Sequence, residues 1–189
     1  MKVLALKSGR LIASLLLLPS LTALANAQTP KFEVGGLIFS FQGKQLGDGF
    51  GIGGRFTYNL NRHIAIDTEW NGFLEDEGSI IANQGFVGPK VGVRNKLVGV
   101  FAKARPGFST NFARPAPDYA TSFAYDSVDK FALDVGAVFE VYPSRHTIFR
   151  VDVGDVIIPF GNDLVLAPEP RRVGTTHNFQ YSLGFSVRF

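Results

Sequence analysis

The sequence predicts an all-β chain: an eight-stranded antiparallel up-and-down barrel that crosses a membrane, preceded by a helical signal peptide. Three observations lead there. Apolar residues alternate with small or polar ones at period two from residue 31 onward, and helical spacing is sustained nowhere in that stretch. The minority face carries charges of both signs, interspersed with glycine. The connections alternate between short and long, as expected when the two rims of a barrel face different compartments.

The N-terminus is read first because it sets the compartment. Lys2, Lys7 and Arg10 precede an apolar run over 11–21, and Ala25 and Ala27 flank Asn26 at the A-x-A spacing of a cleavage site. That run is too short to span ~30 Å of hydrocarbon. Residues 1–27 are therefore expected to be a signal peptide and 28–189 the barrel domain. Removing the leader leaves 16 basic residues against 16 acidic, so the formal charge of +3 belongs to the exported segment and gives no support to nucleic-acid binding. Cysteine is absent, which excludes a disulfide staple. No later apolar stretch approaches the ~18 residues of a membrane helix, so any span must be made of strands closed on themselves.

Strands are expected at about 32–41, 50–58, 63–70, 85–94, 98–108, 131–142, 147–154 and 179–189. The last is the clearest: Phe179, Tyr181, Leu183, Phe185, Val187 and Phe189 share one face, opposite Gln180, Ser182, Gly184, Ser186 and Arg188. Connections at 59–62, 95–97 and 143–146 are tight, 42–49 is intermediate, and 71–84, 109–129 and 155–175 are expected to be long loops. These loops carry Glu75, Asp76 and Glu77 and the proline-spaced Arg114-Pro115-Ala116-Pro117. An even strand number puts both termini on the short-turn rim.

A soluble sandwich also alternates, so the chemistry of the minority face has to decide. It reads Arg55, Asp67, Glu69, Lys90, Arg94, Lys103, Arg105, Asp134, Glu140, Arg150 and Asp152, among Gly51, Gly53, Gly88, Gly92, Gly99, Gly107, Gly136, Gly154 and Gly184. Glycine weakens a strand and has no use on a solvent face, whereas a narrow tube filled with long charged side chains needs small neighbours and paired charges. The expected result is a lumen charge network, with Asp67 near Lys90 and Glu140 near Arg150. The other face would meet lipid, with Tyr58, Trp70, Tyr181 and Phe189 as interfacial aromatics.

These features resemble the small bacterial outer-membrane β-barrels of the OmpA and OmpX type over residues 28–189. Phe189, preceded at alternate positions by Val187, Phe185, Leu183 and Tyr181, is similar to the C-terminal signal read by the barrel-assembly machinery of Gram-negative cells. Gly99-Val100-Phe101-Ala102-Lys103-Ala104-Arg105-Pro106-Gly107-Phe108 resembles a strand of outer membrane protein beta-barrel domains. The resemblance implies an outer-membrane location, lipid and the assembly machinery as partners, and a monomer. No peptidoglycan-binding domain follows, so anchoring to the cell wall is not carried over.

The function expected is a structural or surface-interaction role through the outer loops toward an extracellular partner. No cofactor is expected, and no open pore, because eight strands leave room only for side chains, Phe101 among them. A second class is a rim enzyme built on His177 with Asp155, Asp163 and Ser109, although no G-x-S-x-G or H-E-x-x-H stretch is present. A third is a soluble lipocalin-like barrel, which would place the large residues inside and the charges outside. Three scattered histidines, with His63 and His146 beside short turns, give no metal-ligand spacing.

Overall fold

The structure, a computed structural model, describes residues 30–43, 47–74, 80–113, 126–166 and 170–189. The signal peptide with Ala25 and Ala27, the acidic Glu75, Asp76 and Glu77, and the Arg114 to Pro117 stretch lie outside the described residues. Eight strands follow in order: β1 Phe32–Gly43, β2 Gly47–Asn59, β3 Ile64–Leu74, β4 Ile80–Arg94, β5 Val98–Ala113, β6 Asp126–Val141, β7 Thr147–Leu166 and β8 Pro170–Arg188. Each pairs antiparallel with its sequence neighbour, and β8 closes on β1. Among the described residues there is no helix long and apolar enough to cross a membrane, and closure satisfies the backbone without one.

Register partners followed once around the barrel run from Glu33 through Thr57, Asp67, Gly88, Arg105, Asp134, Val156 and Asn178 to Gly43, ten residues along β1 from the start. The step from Gly88 to Arg105 follows the flanking β4–β5 register. Such an offset requires strongly tilted strands and a narrow interior. That β4–β5 ladder lapses between Phe86↔Gly107 and Lys90↔Lys103, the interval holding Pro89 and Pro106, two residues with no N–H to donate.

Side chains set the three tight turns. Asn61 Oδ1 accepts from the backbone N–H of His63 (2.7 Å) and Ile64 (2.9 Å), and Asn95 Oδ1 does the same for Leu97 (2.7 Å) and Val98 (2.9 Å). In the third turn Ser144 Oγ accepts from His146 N–H at 3.1 Å. These are the local bonds for which Asn and Ser are favoured in turns.

The long connections differ from the sequence expectation. Much of 71–84, 109–129 and 155–175 is paired strand: β3–β4 continues to Leu74↔Ile80, β5–β6 to Ala113↔Asp126 and β7–β8 to Leu166↔Pro170. Register shifts interrupt two of these extensions, between Phe73 and Leu74 in β3–β4 and between Pro159 and Gly161 and between Gly161 and Leu164 in β7–β8, whereas β5–β6 runs on without one. Gly174, opposite Gly161, adopts the left-handed φ of 68° that glycine tolerates.

Orientation excludes a lipocalin-like barrel. Phe179, Leu183 and Phe185 are about half exposed on the outer wall, whereas Arg105 and Glu140 are buried inside. Trp70 and Tyr181 also face outward, and Phe189 lies beside Phe32 with ring centroids 6.1 Å apart. A wall of Val34, Ile38, Ile52, Val91, Val100, Phe139 and Leu183 has no favourable contact with water and suits hydrocarbon.

Candidate functional site: the filled lumen and the outer hairpins

Inward-facing positions of the strands build the lumen, and their charges meet across it. Arg105 donates to Asp67 (2.7 Å), to Glu69 (3.1 Å) and, through Nε at 2.9 Å, to Asp134. Arg150 donates to Asp67 Oδ2 and Asp152 Oδ2, each at 2.8 Å. Arg55 bridges Glu69 (2.5 Å) and Asp152 (2.8 Å), and Lys103 reaches Asp134 at 2.9 Å and Asp152 at 3.5 Å. Toward the short turns Lys90 meets Glu140 at 2.5 Å, and Arg94 donates to Asn59 Oδ1 at 2.8 Å. Lys90 and Arg94 also lie 4.8 Å and 4.7 Å from the Phe101 ring. The eleven charged residues singled out from the sequence thus all point inward and pair.

Of the two expected pairs, Glu140 with Arg150 forms and Asp67 with Lys90 needs correction. Asp67 takes Arg105, Arg150 and the Thr57 hydroxyl (2.5 Å) as direct partners, and Lys90 pairs instead with Glu140. Glu140 and Arg150 are register partners and form an ion pair at 3.8 Å, while the same guanidinium holds Asp67 and Asp152 more closely. Hairpin neighbourhood fixes which backbones adjoin, whereas long side chains choose partners across the lumen.

Sequence reasoning passed over Glu33. It is buried, 3.4 Å from Arg94 and 3.7 Å from Lys90, and accepts from Asn59 at 2.8 Å. With it, Glu33, Asp67, Glu69, Asp134, Glu140 and Asp152 match Arg55, Lys90, Arg94, Lys103, Arg105 and Arg150, six against six. Its parity with Gly35 was the available signal. Tyr142, donating to Glu140 at 2.6 Å, and Arg188, over the Tyr142 ring at 4.2 Å, also line this end.

The outer half of the lumen holds an apolar cluster beside uncharged polar side chains such as Asn71, Gln84 and Asn178, contrary to an interior of charges throughout. Leu37, Phe39, Phe41, Phe73, Phe86, Val156, Ile158 and Phe160 form one buried cluster, with the Phe73 ring 4.9 Å from Phe39 and 5.3 Å from Phe41, edge-on to both. The expectation that Phe101 is the large apolar side chain among the charges filling the lumen is thereby extended to these residues. In β1, Val34 and Ile38 face out while Leu37, Phe39 and Phe41 face in, so residue type carries no phase there. The lumen glycines also have a second reason besides crowding by charged side chains. A Cβ at Gly136 would overlap the Val153 carbonyl and come within 2.6 Å of Gly154 Cα, while one at Gly154 would come within 2.9 Å of Asp134 Oδ1.

At the outer rim His177 Nδ1 lies 2.6 Å from Asp155 Oδ2, both on the outside of the wall. Ser109 is buried on the opposite, inner side, so the sheet separates it from His177; Asp163 has no described side chain. The expected trio is not assembled. Among the described residues no group of three or more His, Asp or Glu could hold a metal ion.

Beyond the rim two hairpins continue upward. β6–β7 pairing ends at Leu133↔Ile157 and β8–β1 pairing at Gly43↔Asn178, while β5–β6 and β7–β8 run on. Among the described residues, the β6 edge over 126–132 and the β7 edge over 158–166 have no neighbouring strand.

Known structures share this architecture. Neisserial surface protein A matches with a TM-score of 0.58 at 12% identity, covering 84% of this chain and 97% of that one. The N-terminal β-barrel domain of Pseudomonas aeruginosa OprF matches at 0.55 and 10% identity, covering 83% and 97%. Ail of Yersinia pestis, in complex with the heparin analogue sucrose octasulfate, matches at 0.52 and 12%, covering 84% and 97%. The fold is that of the small outer-membrane β-barrels. No protein-family model matches the chain, and no curated protein does. Like a barrel of that fold, it keeps an apolar wall outside and the titratable groups of its network within, the arrangement that lipid imposes.

Proposed function

We propose that this chain is an outer-membrane barrel with a closed, charge-paired lumen that acts at the cell surface through its protruding hairpins. The observation that carries the reading is the pair of unneighboured edges on β6 and β7. An exposed strand edge presents unpaired N–H and C=O groups, and an extended polypeptide can add to it as a further strand. A polyanion, as in the Ail complex, fits this chain less well, because Asp48, Asp129 and Asp155 are the acidic side chains described on the outer wall at that end. Rim catalysis is not favoured, since Ser109 is buried on the side of the wall away from His177.

The test compares cells displaying the full chain with cells displaying a variant whose β7–β8 hairpin is cut back to Pro159 and Thr175. The probe is labelled casein, an unstructured and extended polypeptide. Binding lost by the shortened barrel, with heat-modifiable gel migration retained by both, supports the reading. Equal binding by the two would overturn it.

A further inference from the structure

Each of the four corners of the short-turn rim carries one cation. Lys31 stands where β1 meets β8, Arg62 between β2 and β3, Lys96 between β4 and β5, and Arg145 between β6 and β7. The topology therefore sets them at every second strand around the barrel. No Asp or Glu occurs in 59–63, 95–97 or 143–146. Lys31, Lys96 and Arg145 are exposed, and among the described residues none of the three forms an ion pair. Arg62 Nε bonds His63 Nε2 at 2.8 Å, and the neighbouring Arg188 is occupied by the carbonyls of Arg145 (2.8 Å) and Ser144 (3.0 Å).

Each corner also exposes large apolar side chains beside its cation. Phe32 and Phe189 adjoin Lys31, Leu60 lies near Arg62, Leu97 follows Lys96, and Val141 and Phe149 flank Arg145. Leu97 is 69% exposed and Phe189 64%, and both continue the exposed apolar wall of the strands down to the turns. The Phe32 and Tyr58 rings, tilted against each other with centroids 5.3 Å apart, place the membrane boundary at this level. A cation on a flexible stem beside side chains that enter hydrocarbon holds its charge at headgroup depth. The opposite end differs in sign, with Asp48, Asp129 and Asp155 on its outer wall.

We infer that the short-turn rim binds anionic phospholipid headgroups through their phosphodiesters, one cation at each corner. The inference rests on the membrane reading above and adds which leaflet and which headgroup charge the barrel recognises. The full chain and the triple variant Lys31→Gln, Lys96→Gln, Arg145→Gln are folded into vesicles of phosphatidylcholine alone and of phosphatidylcholine with one third phosphatidylglycerol. Equilibrium unfolding in urea is then measured at low and high salt. Attraction of a surface cation to an anionic leaflet is worth about fivefold in an equilibrium constant, so phosphatidylglycerol should favour the wild-type fold by on the order of a hundredfold more than the triple variant. That difference should shrink in high salt. In phosphatidylcholine alone the two chains should be equally stable. A wild type indifferent to phosphatidylglycerol, or a triple variant that keeps the whole gain, would overturn the inference. Failure of the wild-type chain to fold in either vesicle would instead strike the membrane reading beneath it.

Discussion

Arg105 shows what a charge does in this lumen. Its guanidinium has no contact with solvent and serves Asp67, Glu69 and Asp134 at once. Truncation would leave three carboxylates short of a buried partner, and breaking such a constellation costs about 3–5 kcal/mol. Arg105→Ala should therefore lower unfolding stability in detergent by that order, while Lys96→Ala on the exposed turn should change it by less than ~0.5 kcal/mol. Urea titration of both variants under one condition checks the contrast, and equal losses would mean that the network does not hold the barrel. The eleven charged lumen positions were legible in the sequence because Arg, Lys, Asp and Glu between large apolar residues mark a phase. Glu33 was obscured because β1 carries bulky apolar side chains on both faces. Which charge meets which was not legible at all: Arg150 reaches Asp67 from 83 residues away along the chain, through a lumen whose width only the closed sheet defines.

At the scale of the strand, alternation works where one face meets lipid and fails where both meet protein or water. β8 between Phe179 and Phe189 obeys it residue by residue, with Gln180, Ser182, Ser186 and Arg188 buried and the odd positions exposed. β7 obeys it as far as Gly154; beyond that Val156, Ile158 and Phe160 are buried inside while Asp155 lies on the outer wall, so residue type no longer marks the face. The hairpins were therefore legible as polar, proline-rich connections but not as strands. Leu183 lies midway along the lipid-facing stretch of β8, between Ile38 and Val151 on its neighbours. Placing an arginine there asks hydrocarbon to accept a charge, at about 2–4 kcal/mol near the bilayer centre. Leu183→Arg should lose that much stability in vesicles, and a loss well below ~1 kcal/mol would place Leu183 away from the acyl chains.

For the molecule as a whole, the closed sheet creates two barriers in series along its axis. The first is the six-against-six charge network, whose members pair with one another across the lumen. The second is the apolar cluster around Phe39, Phe73 and Phe86, where an ion would have to leave its hydration shell between hydrocarbon side chains. An eight-stranded barrel is only wide enough to be filled by side chains, and here both halves of the interior are filled, by different chemistry. The chain in planar bilayers should show no steady, large conductance. Because the barriers are independent, Arg105→Ala, which disturbs the charged layer, should remain closed through the phenylalanines. Phe39→Ala with Phe73→Ala should likewise remain closed through the ion pairs. Only a variant carrying all three substitutions removes parts of both layers, and it is the one expected to leak. Steady conductance from the wild type would show that the lumen is open, whereas conductance from either partial variant would show that a single layer, not two, keeps it shut.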